Sequence, residues 1–321
     1  MTRPSAVPPL VTAVLDASSR WLPARLGEVE ELLREQSGDF GQLLGRDAAA
    51  TLAAGGKRLR PLLVLLCAGA DGGEEAVRAA AAIELVHMAT LVHDDVLDDA
   101  PLRRGVPTVF ASSGTARAVA VGDLLFSRAF ALLAEHRDAG AVALLSSASV
   151  ALAEGELAQR RDAFDTGVSE QRYLERCRLK TATLFRCACL LGCEDRPLGE
   201  FGAEIGLAFQ LLDDVLDVSG PAERTGKARG TDLLDGTVTL PLILAIEADP
   251  ELGRVDLRGL DPAAAEQLCD RIAATGALDR VRERALEMVA AAKERLGSDD
   301  FDAEQRQLLG LVADGVVQRY S

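Results

Sequence analysis

Apolar residues recur at spacings of three and four along most of the chain, which is the pattern of amphipathic helices. An early example is the series Leu22, Leu26, Val29, Leu32 and Leu33. The segments that are apolar around most of a helical circumference are 78–100, 115–135, 140–160 and 200–218. Helices of that kind must be covered on every side, so we predict that they form the centre of a bundle. Because the alternation typical of strands is absent, the sequence predicts an all-α protein.

Two proline-containing sites indicate where helices begin. Pro61 follows the flexible pair Gly55-Gly56 and is expected to open a helix. The dipeptide Asp261-Pro262 is typical of an N-cap residue followed by a proline at the first helical position. Both sites support the helical interpretation.

The chain has 321 residues, 48% of them hydrophobic, which is enough for one large domain or two ordinary ones. Residues 1–9 are predicted to be disordered. The connections 219–236 and 249–260 are longer than the others, but neither changes composition sharply enough to be an interdomain linker. We therefore expect a single large helical domain over residues 10–321.

Acidic side chains outnumber basic ones by 50 to 35, so the formal net charge is -15. A protein with that charge does not bind nucleic acid or an anionic membrane surface through its overall field. We predict small-molecule partners and no nucleic acid, and any basic site must be local. Lysine is rare among the cations, being confined to Lys57, Lys180, Lys227 and Lys293.

Cysteine usage and the lack of membrane signals indicate the compartment. The six cysteines form no Cys-x-x-Cys pair, and Cys187, Cys189 and Cys193 lie in an apolar helical stretch, which favours buried, reduced thiols over a metal site. The N-terminus lacks the shape of a signal peptide. The longest charge-free run, 141–153, is too short to span a bilayer. The sequence predicts a cytoplasmic protein without a transmembrane segment.

The pentapeptide Asp-Asp-Val-Leu-Asp occurs twice, at 94–98 and at 213–217, each time after an apolar helical segment. On a helix the first and last aspartates of each copy project from one face. Unpaired carboxylates held together repel one another until a counter-charge binds, and oxygen-only ligands suit Mg²⁺. A solvated acidic face would explain one copy equally well, but two copies favour a metal site.

Cations accompany both aspartate clusters. Gly55–Pro61 places two glycines and three cations before a helix N-terminus, where backbone N–H groups favour an anion such as phosphate. Further basic sites are Arg103-Arg104, Lys180-Thr181 and the glycine-flanked segment 226–230. Together with Mg²⁺ ligands and an apolar helical interior, they indicate a diphosphate that carries a hydrocarbon tail.

With these motifs, over roughly residues 40–320, the chain resembles the all-trans isoprenyl diphosphate synthases, or polyprenyl synthetases. The matching motifs are Asp94–Asp98 with Arg103-Arg104-Gly105, and Phe209–Asp217. The resemblance implies a bundle of isoprenoid synthase type with a central apolar cavity. It also implies a prenyltransferase that condenses isopentenyl diphosphate with an allylic diphosphate primer, by Mg²⁺-assisted ionisation and carbocation attack, into a medium- or long-chain all-trans polyprenyl diphosphate.

The resemblance also implies a role for individual residues, and it suggests a homodimer. About three Mg²⁺ ions would be held by Asp94, Asp98 and Asp213, with Asp95, Asp214 and Asp217 supporting the metals or their waters. The implied isopentenyl diphosphate ligands are Gly56, Lys57, Arg60, His87 and Arg104. The implied allylic diphosphate ligands are Arg103, Lys180, Thr181, Gln210 and Lys227. The implied catalytic residues are Asp94, Asp98, Lys180, Asp213 and Lys227.

One position departs from the family pattern. The family usually carries Gly-Lys before Thr-Leu-Pro, whereas this chain reads Gly236-Thr237 before Val238-Thr239-Leu240-Pro241. A diphosphate-binding lysine is therefore missing at Thr237. We expect somewhat weaker binding of the allylic diphosphate, or compensation by Arg229.

The helix before the first cluster bears on product length. The growing tail is expected to follow the face formed by Ile83, Val86 and Thr90, with Ala89 beside them, and one helical turn rises about 5.4 Å, close to one isoprene unit. Ala89 and Thr90 are small, so nothing blocks the first turn. We infer a product longer than farnesyl, with geranylgeranyl as the nearest alternative; the preferred primer and the pathway stay open.

Two other classes of protein compete with this interpretation. A terpene cyclase would share the helical fold, but the second aspartate cluster and Gly55–Pro61 argue against it. A non-catalytic partner subunit would be expected to lose metal-binding aspartates, and all six are present.

Overall fold

The structure is a computed structural model of the chain. It describes residues 9–18, 21–38, 45–53, 56, 58–103, 105–135, 138–220, 229–297 and 302–318. The predicted disorder of residues 1–9 falls almost entirely outside this part, and the first helix begins at Pro9.

Within the described residues nearly everything is helical, which confirms the all-α prediction. The α-helices, in chain order, are α1 (Pro9–Ala17), α2 (Trp21–Gly38), α3 (Arg46–Ala53), α4 (Leu59–Ala68), α5 (Gly73–Leu97), α6 (Val109–Ser113), α7 (Thr115–Ala134), α8 (Ala139–Arg161), α9 (Glu170–Cys177), α10 (Thr183–Gly192), α11 (Arg196–Ser219), α12 (Thr231–Leu234), α13 (Leu240–Ala248), α14 (Pro262–Ala274), α15 (Ala277–Arg295) and α16 (Ala303–Gln318). A π-helical turn (Arg178–Ala182) joins α9 to α10, and 3₁₀ turns occupy Pro250–Arg254 and Leu257–Gly259.

The start signals can be compared with the helices. Asp261 is the N-cap of α14, and its side chain accepts a hydrogen bond from the Ala264 N–H at 2.8 Å, which confirms that prediction. Helix α4 begins at Leu59, two residues earlier than Pro61. A proline is tolerated in the first turn because the N–H groups there have no intrahelical partner.

The chain divides into two compact units. Unit 1 comprises residues 1–149, 187–199 and 298–312, and unit 2 comprises 150–186, 200–297 and 313–321. Both units are built from several stretches of the chain. The single domain expected over residues 10–321 stays a prediction, as does the central apolar cavity.

Helix α5 forms the core of unit 1, where α2, α4 and α7 pack against it. Its residues Ile83 and Val86 are fully buried. Gly122 of α7 allows a close approach, because a Cβ atom there would lie 2.2 Å from the His93 Nε2 atom. His93 also stacks on Phe126 with ring centroids 6.2 Å apart, so its contacts are those of a packed helix residue.

Unit 2 has its own core. Tyr173 of α9, Phe201 of α11 and Val281 of α15 are fully buried, and α13 packs against α15. Gly206 of α11 lies against the π-helical turn, since a Cβ atom there would be 2.9 Å from the Ala182 Cα atom. Glycines thus allow close contacts between helices in both units.

Two described helices, α5 and α8, are long and apolar enough to cross a membrane by length and composition alone. The apolar window of α5 is 72% buried, as in the core helix of a globular protein, whereas that of α8 is only 22% buried. The prediction that segment 140–160 lies at the centre of the bundle is therefore wrong for this chain by itself. Exposed apolar surfaces of this kind are typical of places where a protein binds another molecule.

Two short strands, β1 (Leu102–Arg103) and β2 (Val106–Pro107), form the only sheet in the described part of the chain. They pair in antiparallel register, with Leu102 opposite Pro107. Gly105, at φ 75°, makes the turn between them, a conformation that favours glycine. Strands of two residues are too short to produce an alternating pattern, so the sequence could not have revealed them.

Candidate active site

The first aspartate cluster lies on the last turn of α5, which ends at Leu97. Asp94 is half-buried and Asp98 is exposed, whereas Asp95 is buried. The Asp95 Oδ1 atom accepts a hydrogen bond from Arg103 Nε at 2.6 Å. Adjacent helix residues point about 100° apart, so Asp95 turns into unit 1 while Asp94 and Asp98 lie towards solvent. The cluster thus divides into two more accessible carboxylates and one buried ion pair.

Arg103 owes its position to the β1–β2 ribbon that follows α5. The ribbon turns the chain back at Gly105, and the Arg103 side chain reaches Asp95 from β1. The structure therefore gives Arg103 a partner within unit 1. Its predicted contact with an allylic diphosphate stays a prediction, and Arg104 lies outside the described residues.

The cationic segment before α4 is anchored by Arg58. This residue has φ 49°, and its guanidinium bridges two carboxylates, with Nε 2.5 Å from Glu30 Oε1 and an amino nitrogen 2.7 Å from Glu84 Oε1. Burial alone would lower the pKa of the Arg58 guanidinium, but Glu84 and Glu30 raise it above its ordinary value. Gly56 and Arg60, on either side, are half-buried, and Lys57 lies outside the described residues.

The buried ion pair between Arg58 and Glu84 predicts a large effect on stability. Glu84 is only 3% exposed, so Arg58→Ala would leave the Glu84 carboxylate buried without the guanidinium that neutralises its charge. We expect the free energy of unfolding to fall by about 3 kcal/mol, measured by urea denaturation. Arg25→Ala, which removes an exposed pair with Glu28, is the matched control and should change it by less than about 1 kcal/mol. Equal effects of the two substitutions would contradict the anchoring role.

His87 lies at the wall of a small cavity of about 70 Å³ in unit 1. Arg58, Glu84, Asp95 and Arg103 also line this cavity. A histidine that only fills the apolar core would not be expected among so many charged groups. The position of His87 therefore favours a ligand-binding role over a purely structural one. Its contact with isopentenyl diphosphate stays a prediction.

The four residues proposed to set product length lie on the buried length of α5. Ile83, Val86 and Ala89 have no exposed surface, and Thr90 is half-buried. The Thr90 hydroxyl donates a hydrogen bond to the His87 carbonyl at 2.7 Å, so its polar atom is satisfied within the helix. Three of the four are therefore covered by other protein atoms, and the contact of all four with an apolar tail stays a prediction.

The second aspartate cluster lies near the end of α11 in unit 2. Asp213 and Asp217 are half-buried, and Asp214 is 2% exposed. Both Asp214 oxygens are bound: Gln210 Nε2 donates to Oδ1 at 2.7 Å and the Tyr173 hydroxyl donates to Oδ2 at 2.5 Å. The division seen in the first cluster recurs here, with one buried aspartate and two more accessible ones.

The surroundings of Asp214 shift its pKa strongly. Burial raises the pKa of this carboxyl to about 8, and the nearby Asp232 adds to the shift. The hydrogen bonds from Tyr173 and Gln210 act in the opposite direction. Asp217 has a different neighbour, because its Oδ2 atom accepts the Asp232 N–H at 3.2 Å. Asp217 thereby holds the chain at the start of α12.

Lys180 and Thr181 lie in the π-helical turn between α9 and α10. The Lys180 Nζ atom is 2.5 Å from Glu156 Oε2, and the Thr181 hydroxyl donates to Gln210 Oε1 at 2.7 Å. Burial would raise the pKa of the Glu156 carboxyl, but Lys180 and Arg160 lower it below its ordinary value. Single π-helical turns inside α-helices are frequent at functional sites.

Gly155 of α8 fixes the position of the Lys180 backbone. A Cβ atom at Gly155 would lie 2.6 Å from the Lys180 nitrogen, and backbone cannot yield as a flexible side chain can. We expect Gly155→Ala to displace the turn and to lower kcat/KM for the allylic substrate about 10- to 100-fold. Gly140→Ala on the same helix, where the added Cβ meets nothing closer than 3.4 Å, should stay within about twofold. If Gly155→Ala left the kinetics unchanged, the contact with α8 would not be what holds the π-helical turn in position.

The loop after α11 contains the position at which the family's lysine is missing. Thr237 is half-buried and its N–H donates to the Asp232 carbonyl at 2.7 Å. Arg229 Nε donates to the Val218 carbonyl and an amino nitrogen to Asp270 Oδ1, both at 2.9 Å. Because the Arg229 side chain is already bound by these two groups, the contacts do not favour its replacing the lysine that is missing at Thr237. Lys227 lies outside the described residues.

Comparison with known proteins decides the family. The polyprenyl synthetase family model matches residues 42–268, well over half of the chain. The chain belongs to the polyprenyl synthetase family. This confirms the resemblance inferred from the motifs and, with it, a transferase of the prenyl diphosphate synthase class.

Individual relatives of this polyprenyl synthetase agree. It is 39% identical over 263 residues to heptaprenyl diphosphate synthase component 2 of Geobacillus stearothermophilus, covering 78% of this chain and 82% of that one. It is 37% identical over 310 residues to geranylgeranyl pyrophosphate synthase of Geoglobus acetivorans, covering 91% and 95%. A crystal structure of polyprenyl synthase from Caulobacter crescentus, complexed with calcium and isoprenyl diphosphate, matches with a TM-score of 0.89, 35% identity and full coverage of both chains.

The carboxylates of this polyprenyl synthetase suit Mg²⁺ if the substrate completes the coordination. Among the described residues, no three acidic, histidine or cysteine side chains converge closely enough to enclose an ion by themselves. Mg²⁺ typically takes one or two carboxylates together with waters and substrate phosphates, so an open set of aspartates fits it. Asp94, Asp98, Asp213 and Asp217 are the more accessible members.

Sequence reasoning missed Tyr173. This residue contacts the second cluster directly, yet no motif includes it. Two features of the sequence could have pointed to it: Tyr173 is one of only two tyrosines in the chain, and it lies seven residues before Lys180. The role of Arg58 in binding Glu30 and Glu84 was also missed, because the glycines and cations next to it in the sequence are typical of an anion-binding site.

Proposed function

We propose that the chain condenses isopentenyl diphosphate with an allylic diphosphate primer to make a medium- or long-chain all-trans polyprenyl diphosphate. The observation that carries this proposal is the arrangement of the two aspartate clusters. Each has a buried aspartate held by the protein and two more accessible ones, and each lies in a unit that also holds cations assigned to diphosphate. Within the polyprenyl synthetase family this arrangement supports transfer of a prenyl group.

The accessible aspartates would hold Mg²⁺ on the allylic diphosphate. Asp94, Asp98 and Asp213 are proposed as the ligands, with Asp95, Asp214 and Asp217 supporting the metals or their waters, on the order of three ions per site. When bound, Mg²⁺ neutralises charge that develops on the departing diphosphate. The presence of calcium with an isoprenyl diphosphate in the Caulobacter crescentus relative supports this assignment.

The chain's own cations would orient the two substrates. Lys180, held by Glu156, and Thr181, held by Gln210, are proposed to bind the allylic diphosphate together with Arg103 and Lys227. As the carbon–oxygen bond breaks, Lys180 stabilises the negative charge on the leaving group. The double bond of isopentenyl diphosphate then attacks the allylic cation, and the released diphosphate is the proposed acceptor of the proton whose loss restores an allylic product.

Isopentenyl diphosphate is assigned to unit 1. Arg60 and the N-terminal N–H groups of α4 offer positive charge, and His87 of α5 lines a cavity together with Arg58, the residue before α4. Gly56 allows the phosphate to approach the backbone closely. Lys57 and Arg104 complete the proposed ligands.

Product length is the least determined part of the proposal. Ala89 and Thr90 leave the first turn of α5 without a bulky side chain, which favours a product longer than farnesyl. The names of relatives include both heptaprenyl and geranylgeranyl diphosphate synthases, so geranylgeranyl diphosphate is the alternative product.

We propose a homodimer that covers the exposed face of α8. Val150 and Leu157 on this helix are 57% and 69% exposed, unusual values for large apolar side chains. A second copy of the chain would bury them, as in most symmetric assemblies. The cytoplasm is the proposed compartment, supported by six free cysteines, most of them buried.

The direct test is to incubate the purified chain alone with Mg²⁺, isopentenyl diphosphate and, in turn, geranyl, farnesyl or geranylgeranyl diphosphate. Mass analysis of the dephosphorylated alcohols should show new polyprenols longer than geranylgeraniol, and none after chelation of the metal. Geranylgeraniol as the sole product would establish the alternative. No product from any primer would favour a non-catalytic partner subunit, and a cyclised hydrocarbon would favour a terpene cyclase.

A further inference from the structure

Tyr173 is a fully buried tyrosine whose hydroxyl lies inside unit 2. It belongs to α9, its hydroxyl donates a hydrogen bond to Asp214 Oδ2 at 2.5 Å, and the buried Cys177 thiol is a second neighbour of that hydroxyl. A buried hydroxyl is costly unless it has a partner, and phenylalanine would fill the same space without that requirement. The charged or strongly accepting oxygen of Asp214 is the better of its two partners, so this bond satisfies the hydroxyl inside unit 2.

Asp214 links three elements through this bond. Its second oxygen accepts from Gln210 on α11, and Gln210 accepts from Thr181 in the π-helical turn. A continuous series of hydrogen bonds thus runs from Tyr173 on α9, through α11, to the turn that carries Lys180. Each member is satisfied, which is the condition under which a buried polar network rigidifies its surroundings.

The network adds a second attachment between α11 and the π-helical turn. The first attachment is the close packing at Gly206, where a Cβ atom would lie 2.9 Å from the Ala182 Cα atom. Asp214 lies eight residues further on, about 12 Å along the helix. Attachment at both places restrains the rotation of this part of α11 about its axis more tightly than packing does alone.

Asp213 and Asp217 would follow any such rotation. They lie at about −100° and −60° from Asp214 around the helix, hence on one side of it. A rotation of α11 would move both carboxylates together relative to Lys180. Orientation errors of this kind are costly in catalysis, since displacements near 1 Å can reduce rates about 100-fold.

We propose that Tyr173 is a positioning residue of the allylic diphosphate site, which orients the second aspartate cluster through the Asp214 carboxylate. The inference rests on the proposed function, because it assigns Tyr173 a role at the site through which that function would work. Tyr173 contacts no substrate in this account. Its effect reaches Asp213 and Asp217 only through Asp214.

The test compares Tyr173→Phe with Thr166→Val. Both remove one hydroxyl donor within unit 2, since the Thr166 hydroxyl donates to the Gly253 carbonyl at 2.8 Å. We expect Tyr173→Phe to raise the allylic KM about 10-fold and to leave the isopentenyl diphosphate KM within about twofold. Thr166→Val should leave both constants within about twofold.

A second readout does not depend on turnover. Mg²⁺ with inorganic diphosphate should raise the Tm of the wild-type protein, and that rise should shrink by at least half in Tyr173→Phe but not in Thr166→Val. In an Asp214→Ala background, which has no acceptor for the hydroxyl, Tyr173→Phe should change the allylic KM by less than about twofold, because the two residues act in series. If Tyr173→Phe folds poorly, Asp214→Ala alone tests the inference, because it removes the same hydrogen bond from the other side.

The two possible failures can be told apart. A wild-type protein that forms no prenyl product with any primer contradicts the proposed function. Active wild-type protein with an unchanged allylic KM and an unchanged Tm rise in Tyr173→Phe overturns the positioning role. Equal losses for both substrates, tracking a lower Tm without ligand, would also overturn it and reduce Tyr173 to a core residue.

Discussion

Asp94→Asn is expected to lower kcat with an allylic substrate about 1,000-fold, the largest effect that we predict. Asp94 is one of the two more accessible carboxylates on the last turn of α5, and the substitution removes its charge with little change in volume. Metal-assisted stabilisation of a leaving group is worth several kcal/mol, and about 4 kcal/mol corresponds to 1,000-fold. Steady-state kinetics at saturating substrates and several Mg²⁺ concentrations would measure the effect.

Asp99→Asn is the matched control for Asp94→Asn. Asp99 is exposed, lies five residues along the same segment, and has φ 48°, a conformation that asparagine tolerates well. Its kcat should stay within about twofold of wild type. If the two variants were equally active, the acidic segment would be a solvated face and the metal assignment would fail.

Lys180→Ala is expected to lower kcat about 100- to 1,000-fold. Lys180 is held in the π-helical turn by Glu156, so its charge is fixed before substrate binds. Preorganised charges aimed at a developing anion contribute rate factors of about this size. Lys180→Arg should also impair turnover, because a planar guanidinium does not reproduce a compact ammonium at a fixed point.

Lys293→Ala provides the comparison for Lys180→Ala. Lys293 pairs with Asp314 at 2.7 Å on an exposed surface of unit 2, so its loss should leave kcat within about twofold. Because lysine is rare in this chain, the comparison of these two lysine variants is informative about the role of Lys180. A Lys180→Ala enzyme as active as Lys293→Ala would mean that Lys180 only balances the charge of Glu156.

The sequence predicted the helical fold and the family, because both depend on patterns that recur along the chain. The spacing of apolar residues placed α5, α7 and α11 nearly correctly. The repeated pentapeptide revealed both aspartate clusters, since carboxylates at that spacing have a clear chemical meaning. Local sequence was enough for these features.

The remaining features depend on contacts between distant parts of the chain. Tyr173 meets Asp214 across 41 positions, and Arg58 meets Glu84 across 26. Neither pairing leaves a local pattern. The π-helical turn at Arg178–Ala182 needs one extra residue in a helix, which periodicity does not detect. The exposure of α8 was also hidden, because a pattern shows that a helix is apolar but not what covers it.

The central claim is that Asp94, Asp98 and Asp213 hold the diphosphate through Mg²⁺, while the buried aspartate of each cluster, Asp95 or Asp214, stays bonded to the protein. The most direct measurement is a crystal structure of the chain with Mg²⁺ and an unreactive allylic thiolodiphosphate. We predict metal ligands from Asp94, Asp98 and Asp213, with Asp95 still bonded to Arg103 and Asp214 still bonded to Tyr173. Metal ions on Asp95 or Asp214 with those bonds broken, or a diphosphate bound away from both clusters, would contradict the account.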